Sequence, residues 1–526
     1  MSEKRRDDAW TGGTSRPSGW EKVACRSAAE AVAMELASPE LARIIDLVAY
    51  PVRDDADRPA VIVRNSGGAV RLWLTETGQE RHELLAGRDP VQNTDPLAFL
   101  PYPLECADPG PDNERNAYPE PARRLLSFFA DPDRSPDVVV VHTPRHYFPE
   151  RGGHRGEHGS LDVIQSRAPF LLSGAGVRPL GLVADHARTV DIAPTLLHLA
   201  GVPAEDHRDA DGAALDGRAR TDLAEAGVGR FVIGLLWDGA PSSDLLSLAS
   251  AGELPAVARL LAAGTALTGG AVAEFPSVTL CNHTSALTGV GPGRHGILGN
   301  VFYDRVRDQQ ILANTETTWH RSAEWLRPGV STVFEMLARA QPTARSACLD
   351  EPIDRGATTS TMQLVRAEGD DRGAGGLDGV LPAAEDSPYL TRLDHLEDRY
   401  YRWCTRVDDA GLIQILGLFA DPATAPRLTW WSNIVTDAGH HAGGTRSEIA
   451  QDSLREADRR LGALLAHLDS LGVTDQVTFL LTADHGFEAA DESVTGSWAP
   501  ALAAACDRLG VSYRDEGPGF IYLTPR

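Results

Sequence analysis

Two near-continuous apolar runs, each leading into an aspartate, constrain this chain more than any other feature. Phe231-Val-Ile-Gly-Leu-Leu-Trp ends in Asp238-Gly239, and Val477-Thr-Phe-Leu-Leu-Thr-Ala ends in Asp484-His485-Gly486. Neither run alternates apolar with polar residues, so a strand made from it is buried on both faces and needs covering layers on both sides. Val138–Val141 is a run of the same kind, and Leu428–Val435 leads into another acidic cluster. Amphipathic stretches lie between them, among them Ala28–Ala37, Leu254–Ala263 and Ser447–Leu468. This alternation specifies an α/β fold with a largely parallel central sheet flanked by helices. Sheets of that type carry their functional loops at the carboxyl ends of the strands, where Asp238 and Asp484 stand.

Composition narrows the class. The 526-residue chain is 42% hydrophobic and 24% charged, which suits a packed globular protein and excludes a disordered or collagen-like one. Its net charge is −24, with Lys4 and Lys22 the only lysines, so neither a nucleic-acid duplex nor an anionic membrane surface is an expected partner. No stretch approaches the roughly 18 apolar residues of a spanning helix, and Met1-Ser-Glu-Lys-Arg-Arg lacks the apolar core of a secretory signal. Six cysteines are scattered without a Cys-x-x-Cys pair, which favours reduced thiols and a cytoplasmic location. Residues 1–20 read as a flexible tail, 205–229 as an acidic connector rich in Ala and Gly, and 21–204 and 230–526 as the two folded segments.

Asp238 alone would serve as well to open a turn. Asp484-His485, however, sets a carboxylate beside an imidazole, and Asp437-Ala-Gly-His440-His441 repeats that pairing after a third strand. Three such clusters at three strand ends point to a metal centre built from oxygen and nitrogen donors. Thr279 opens a candidate helix, where the backbone N–H groups and the dipole favour an anion. A hydroxyl beside a divalent ion is a potential nucleophile, and Asn282, one turn on, is a potential donor to a phosphoryl oxygen. Ser277, Thr284 and Ser285 are rival hydroxyls and Cys281 a rival nucleophile; composition does not choose among them.

Asp238-Gly239, Phe275-Pro276 through Thr279 and Asn282, Leu287-Thr-Gly289, Pro292-Gly-Arg-His-Gly296 and Asn300-Val-Phe-Tyr303 occur in that order. Together they resemble the alkaline phosphatase superfamily, and within it the nucleotide pyrophosphatase/phosphodiesterase branch. The resemblance implies a three-layer sandwich and two divalent ions, zinc first and manganese as the alternative. It implies that Asp238, Thr279, Asp484 and His485 hold one ion, that Thr279 is the nucleophile, and that Asn282 contacts the phosphoryl oxygen. Asp437 and a histidine four positions on would hold the other ion, which favours His441, although the family's Gly-His dipeptide aligns with His440. Cys281 stands where the family commonly has proline and is read as packing.

The family's third histidine follows its Asp-His-Gly motif, yet no histidine occurs from Phe487 to Arg526. His154-Arg-Gly-Glu-His158-Gly-Ser, Ala168-Pro-Phe-Leu-Leu-Ser-Gly and Asp191-Ile-Ala-Pro-Thr resemble the family's C-terminal segment instead, which carries the third ligand over to His158. The two halves thus stand in reversed order, as in a circular permutation, with residues 205–229 bridging the usual ends and Gly519-Phe-Ile-Tyr-Leu leading towards Val23. The expected activity is hydrolysis of a small phosphodiester or pyrophosphate, with a nucleotide among the candidate substrates, through a phosphothreonine. The alternatives are a phosphomonoesterase or phosphonate hydrolase on the same scaffold, or a metal-binding protein without turnover. Cys281-Asn-His-Thr lacks the Cys-x-Pro-x-Arg pattern of a sulfatase. Arg305 to Pro426 is left as the substrate-side wall.

Overall fold

The apolar runs form the centre of an eight-stranded sheet. Its order is Thr359–Ser360, Ser346–Leu349, Leu428–Asn433, Phe231–Trp237, Val477–Thr482, Phe170–Gly174, Gly264–Leu267 and Gly181–Val183. The first five strands pair in parallel. Phe170–Gly174 is antiparallel to both neighbours, and Gly264–Leu267 pairs in parallel with Gly181–Val183. One strand of eight therefore runs against the rest. This computed structural model describes residues 19–54, 56–97, 117–315, 317–367, 380–383, 385–389, 397–517 and 519–526.

Helices pack on this sheet in two groups. Ile192–Leu199, against Phe231–Trp237, carries Thr279–Thr288 and Val333–Ala340 with it. Arg399–Leu418 and Val435–Gly443 form the second group with Glu448–Ser470 and Pro255–Ala262. Sandwiched by these layers, Val232, Ile233, Leu235, Leu236, Leu480 and Leu481 have no exposed surface. Each such side chain contributes on the order of 1.5–3 kcal/mol relative to exposure. The three amphipathic stretches are helical in Gly19–Leu36, Pro255–Ala262 and Glu448–Ser470, the last capped by the Ser447 hydroxyl. Among the described residues no single helix is long and apolar enough to cross a membrane.

Val138–His142 departs from the expectation that its run joins the central sheet. It lies in a second, antiparallel sheet of seven strands, between Ile45–Arg53 and Phe520–Pro525. The reason is visible in its faces: Val139 and Val141 enter the main core, while Val138 and Val140 pack with Val32, Trp498 and Leu502 in a separate cluster. An apolar run reports burial on both faces, not the sheet to which the strand belongs. The early segment reaches the central sheet through Phe170–Gly174 instead. Residues 1–18 of the expected tail lie outside the described residues, and Gly19 and Trp20 begin the first helix. The 205–229 segment is mostly irregular, and Leu223 and Ala224 anchor it in the core.

Candidate metal centre

Register brings the three acidic clusters together. Trp237 pairs with Asn433 and Leu236 with Thr482, so three neighbouring parallel strands end side by side. Asp238 follows the first strand directly, and its N–H donates to Asn433 O at 2.8 Å. The second strand turns into the helix Val435–Gly443, which carries Asp437 and, one turn on, His440 and His441. The Thr436 hydroxyl donates to Asp238 O at 2.6 Å and ties that helix to the first strand end. Asp484 and His485 follow the third strand, and Gly239 N–H donates to Asp484 Oδ1 at 2.9 Å.

His158 arrives from the other end of the sequence. The short strand Gly156–Glu157 pairs antiparallel with Glu488–Ala489, which sets His158 beside the Asp484-His485 loop. Its ring stacks on His485 with centroids 3.8 Å apart and planes 12° apart. Gly159 N–H donates to Ser277 Oγ and Ser277 Oγ donates to Ser160 O, clipping this loop to the residue two before Thr279.

Two groups of donor atoms result. His158 Nε2 and His441 Nε2 lie 3.8 and 3.4 Å from Asp437 Oδ1 and 3.3 Å from each other. His485 Nε2 lies 3.1 Å from Asp484 Oδ2 and 3.7 Å from Asp238 Oδ1. Asp238 Oδ1, Asp437 Oδ1, Asp484 Oδ2 and His485 Nε2 are buried without a hydrogen-bond partner. The opposite ring nitrogens are all committed: Nδ1 of His158, His441 and His485 donates to the carbonyls of Ser277, Gly156 and Gly486 at 2.9, 2.9 and 3.0 Å. A carbonyl only accepts, so Nδ1 keeps the proton and each Nε2 presents a lone pair inwards, the arrangement of metal-ligating histidines.

The electrostatics agree. Burial, followed by Asp484 and Asp437, drives the Asp238 carboxyl well above its ordinary range, and burial pushes Asp437 up to about 6. Burial holds His441 and His485 down at about 3; His158, also beside His485 and His441, is held well below its usual value. Among the described residues no arginine or lysine pairs with Asp238, Asp437 or Asp484. Three buried carboxylates drawn together with no arginine or lysine beside them would be expensive without bound cations, although His283, which Glu351 and Asp238 raise well above its usual value against the effect of burial, lies 3.6 Å from two of them. The residues present fit divalent ions: His158, Asp437 and His441, and likewise Asp238, Asp437 and His485, bring donor atoms close enough together to share an ion.

Thr279 heads the ten-residue helix Thr279–Thr288. Its rivals are engaged: Thr284 donates to Leu280 O, Ser285 bonds His295, and Ser277 is the clip described above. Cys281 is fully buried, and burial raises its thiol well above its ordinary range. His440 also stays outside both groups. It is fully buried, its Nδ1 donates to Thr436 O one turn back, and His441 enters the cluster in its place.

Asn282 does not fit the phosphoryl contact expected of it. Its Oδ1 accepts from Glu274 N–H at 2.7 Å, while Nδ2 faces the carbonyls of Glu274, Pro276 and Val278 at 3.3, 2.9 and 3.2 Å. Both amide protons are committed to the backbone of the loop that presents Thr279. Asn300 is the amide at the helix start, its Oδ1 accepting from Leu280 N–H at 3.1 Å.

Three further residues escaped the sequence reading. His283 lies with Asp238 and Asp484, and Glu351 backs it. The signals existed: His283 is one helical turn after Thr279, and Glu351 follows the buried strand Ser346–Leu349. His154, half-exposed, flanks His441 with ring centroids 4.1 Å apart, and forms a looser group with Glu157 and His441.

Residues 232–526 match the family model for type I phosphodiesterase / nucleotide pyrophosphatase. Among solved structures, the chain is similar to murine ectonucleotide pyrophosphatase/phosphodiesterase 5, inactive and in complex with AMP, at 15% identity and a TM-score of 0.32. It is also similar to phosphonoacetate hydrolase from Sinorhizobium meliloti in complex with phosphonoformate, at 23% identity and a TM-score of 0.32. Each alignment covers 49% of this chain and 57% of the other.

Proposed function

Since this chain belongs to the type I phosphodiesterase / nucleotide pyrophosphatase family, we propose that it hydrolyses small phosphodiesters or pyrophosphates through a phosphothreonine formed on Thr279. The observation that carries this reading is the convergence of His158 on Asp437 and His441, the two histidines standing 283 positions apart in the chain. Asp238, Thr279, Asp484 and His485 would hold one divalent ion, and Asp437, His441 and His158 the other. Bound there, two ions would lower the pKa of the threonine hydroxyl and offset charge on the attacking and leaving oxygens. Nitrogen and oxygen donors suit zinc, and manganese next.

The chain's own residues supply the rest. Thr279 stands at the N-terminus of its helix, where the dipole favours the phosphoryl anion. Its hydroxyl oxygen attacks phosphorus in line with the leaving oxygen, the bond to that oxygen breaks, and water later cleaves the phosphothreonine. Asn300 Nδ2, fixed by the Oδ1 contact to Leu280, takes the phosphoryl contact that Asn282 is not free to make. Asn282 acts one step back, holding the loop.

The same proposal includes the permuted order. The family match begins at residue 232, so His158 is supplied from outside it. Phe520–Pro525 lies beside Val138–His142 and near the helix Gly19–Leu36, the proximity that rejoined ends require. The test is metal analysis of the purified protein together with rates on a bis-aryl phosphodiester, an aryl phosphomonoester and an aryl ester of a nucleoside 5′-monophosphate. The expected result is bound divalent metal and fastest turnover of a diester. Preference for the monoester would move the assignment to a phosphomonoesterase, and metal without turnover would defeat the catalytic reading.

A further inference from the structure

We propose that His283 is an additional metal ligand, sharing an ion with Asp238 and Asp484, and that Glu351 fixes it from behind. This rests on the metal-centre reading above and extends it by two residues that the expected ligand set does not contain. His283 and Glu351 are completely buried. His283 Nδ1 lies 2.7 Å from Glu351 Oε2, the distance of a charge-assisted hydrogen bond. The same oxygen accepts from Trp430 Nε1 at 3.1 Å and Ser432 Oγ at 2.9 Å, so the carboxylate is fixed from three sides. A carboxylate carries no donor in its charged form, so Nδ1 carries a proton and the ring points Nε2 at the acidic pair, where a bound cation would take the place of any proton on Nε2.

The distances on that side decide between two roles. Nε2 is 3.6 Å from Asp238 Oδ2 and 3.6 Å from Asp484 Oδ2. That is too long for a hydrogen bond to either oxygen, and Nε2 accordingly has no hydrogen-bond partner. It is the right spacing for three ligands of one ion, since atoms about 2.1 Å from a common centre and about 90–120° apart stand roughly 3.0–3.6 Å from one another. The chain Glu351–His283–ion is then a carboxylate–histidine–metal triad, in which the outer carboxylate orients the ring and raises its basicity. Counting His485 and Thr279, this ion would be five-coordinate, whereas its neighbour draws its protein ligands from Asp437, His441 and His158.

Cobalt(II) titration of the chelator-stripped full-length protein tests the assignment, because the metal reports its own ligands. His283→Cys places a thiolate where the imidazole was. The expected signature is a thiolate-to-cobalt charge-transfer band that the wild-type protein lacks, despite its buried cysteines. Glu351→Gln should weaken one cobalt ion by roughly 10–100-fold and leave the other unchanged. Two cobalt ions bound by folded His283→Cys protein without a new band would overturn the ligand assignment. Should that variant fail to fold by circular dichroism, unchanged cobalt affinity in Glu351→Gln protein overturns the triad by itself. A wild-type protein that binds no cobalt, zinc or manganese would instead remove the metal-centre reading on which this rests.

Discussion

His158 Nε2 faces His441 Nε2 at 3.3 Å, and neither nitrogen carries the proton, because both Nδ1 atoms donate to backbone carbonyls. Two lone pairs turned towards each other are repulsive unless a cation lies between them and Asp437. His158→Ala and His441→Ala should therefore have the same effect, each weakening one metal ion by more than the roughly 10–100-fold of an outer-layer residue and abolishing turnover. His440→Ala removes a ring outside the cluster and should keep both ions while lowering Tm. Metal titration of the three variants checks this; loss of an ion in the His440 variant alone would reverse the assignment.

Thr279→Ala should reduce kcat by about 10⁴-fold or more with both ions still bound, since the covalent route is lost while the aspartates and histidines remain. Thr279→Ser keeps a hydroxyl and should keep part of the rate. Cys281→Ala should run at the wild-type rate. Steady-state kinetics with metal content measured on the same samples separates these outcomes, and an active alanine variant at position 279 would exclude the phosphothreonine.

Much of this candidate centre was legible in the sequence because the rule behind it is local: a buried strand followed by an acidic residue puts that residue at the carboxyl edge of the sheet. Asp238, Asp437 and Asp484 follow that rule, and spacing from Asp437 selected His441. The misreadings have physical causes too. Asn282 carries the right amide in the right stretch, but hydrogen-bond commitments inside a loop leave no trace in residue order. Val138–Val141 looks like any doubly buried strand, since its two faces meet two different cores. His283 was overlooked because a histidine inside a helix is ordinary until its neighbours in space are known, and those neighbours lie 45 and more residues away in sequence.

The two asparagines should part company experimentally. Asn300→Ala should lower kcat with little change in Tm, because it removes a donor at the helix start. Asn282→Ala strands buried backbone groups at Glu274, Pro276 and Val278 and should destabilise the fold by about 2–4 kcal/mol. Thermal denaturation and kinetics on both variants give the split; the opposite pattern would return the phosphoryl contact to Asn282.

Metal affinity should depend on pH through the carboxylates before the imidazoles. In the metal-free protein burial raises Asp437 to about 6, whereas burial keeps His441 and His485 neutral down to about 3. Below pH 6 an ion must displace a proton from Asp437, so affinity should fall by about tenfold per pH unit for that proton. Above it that dependence should flatten. Calorimetry in buffers of different ionisation enthalpy counts the protons released. Asp437→Asn should abolish the release centred near pH 6 along with most of the affinity for that ion, while the release made at higher pH by Asp238, which burial drives well above its ordinary range, should remain; unchanged release near pH 6 in this variant would overturn the assignment to Asp437.

The proposed reversed order of the two segments makes a last prediction about fragments. Phe170–Gly174 is paired on one side with Val477–Thr482 and on the other with Gly264–Leu267, so an early-segment strand fills a slot inside the later segment's sheet. Phe520–Pro525 in turn lies beside Val138–His142, a late strand against an early one. Residues 1–204 expressed alone keep His158 but have no aspartate cluster to meet it. Residues 226–526 keep the clusters but expose an unpaired strand edge in the middle of the sheet and lack one histidine. Each fragment should be inactive and prone to aggregate. Co-expression should restore a one-to-one complex with turnover, because strand pairing and core burial, not the connector, hold the segments together. His158→Ala in the short fragment should then silence the complex without preventing its assembly, which size-exclusion chromatography and a phosphodiester assay would resolve. Full activity from residues 226–526 alone would show that the early segment supplies no part of the catalytic centre.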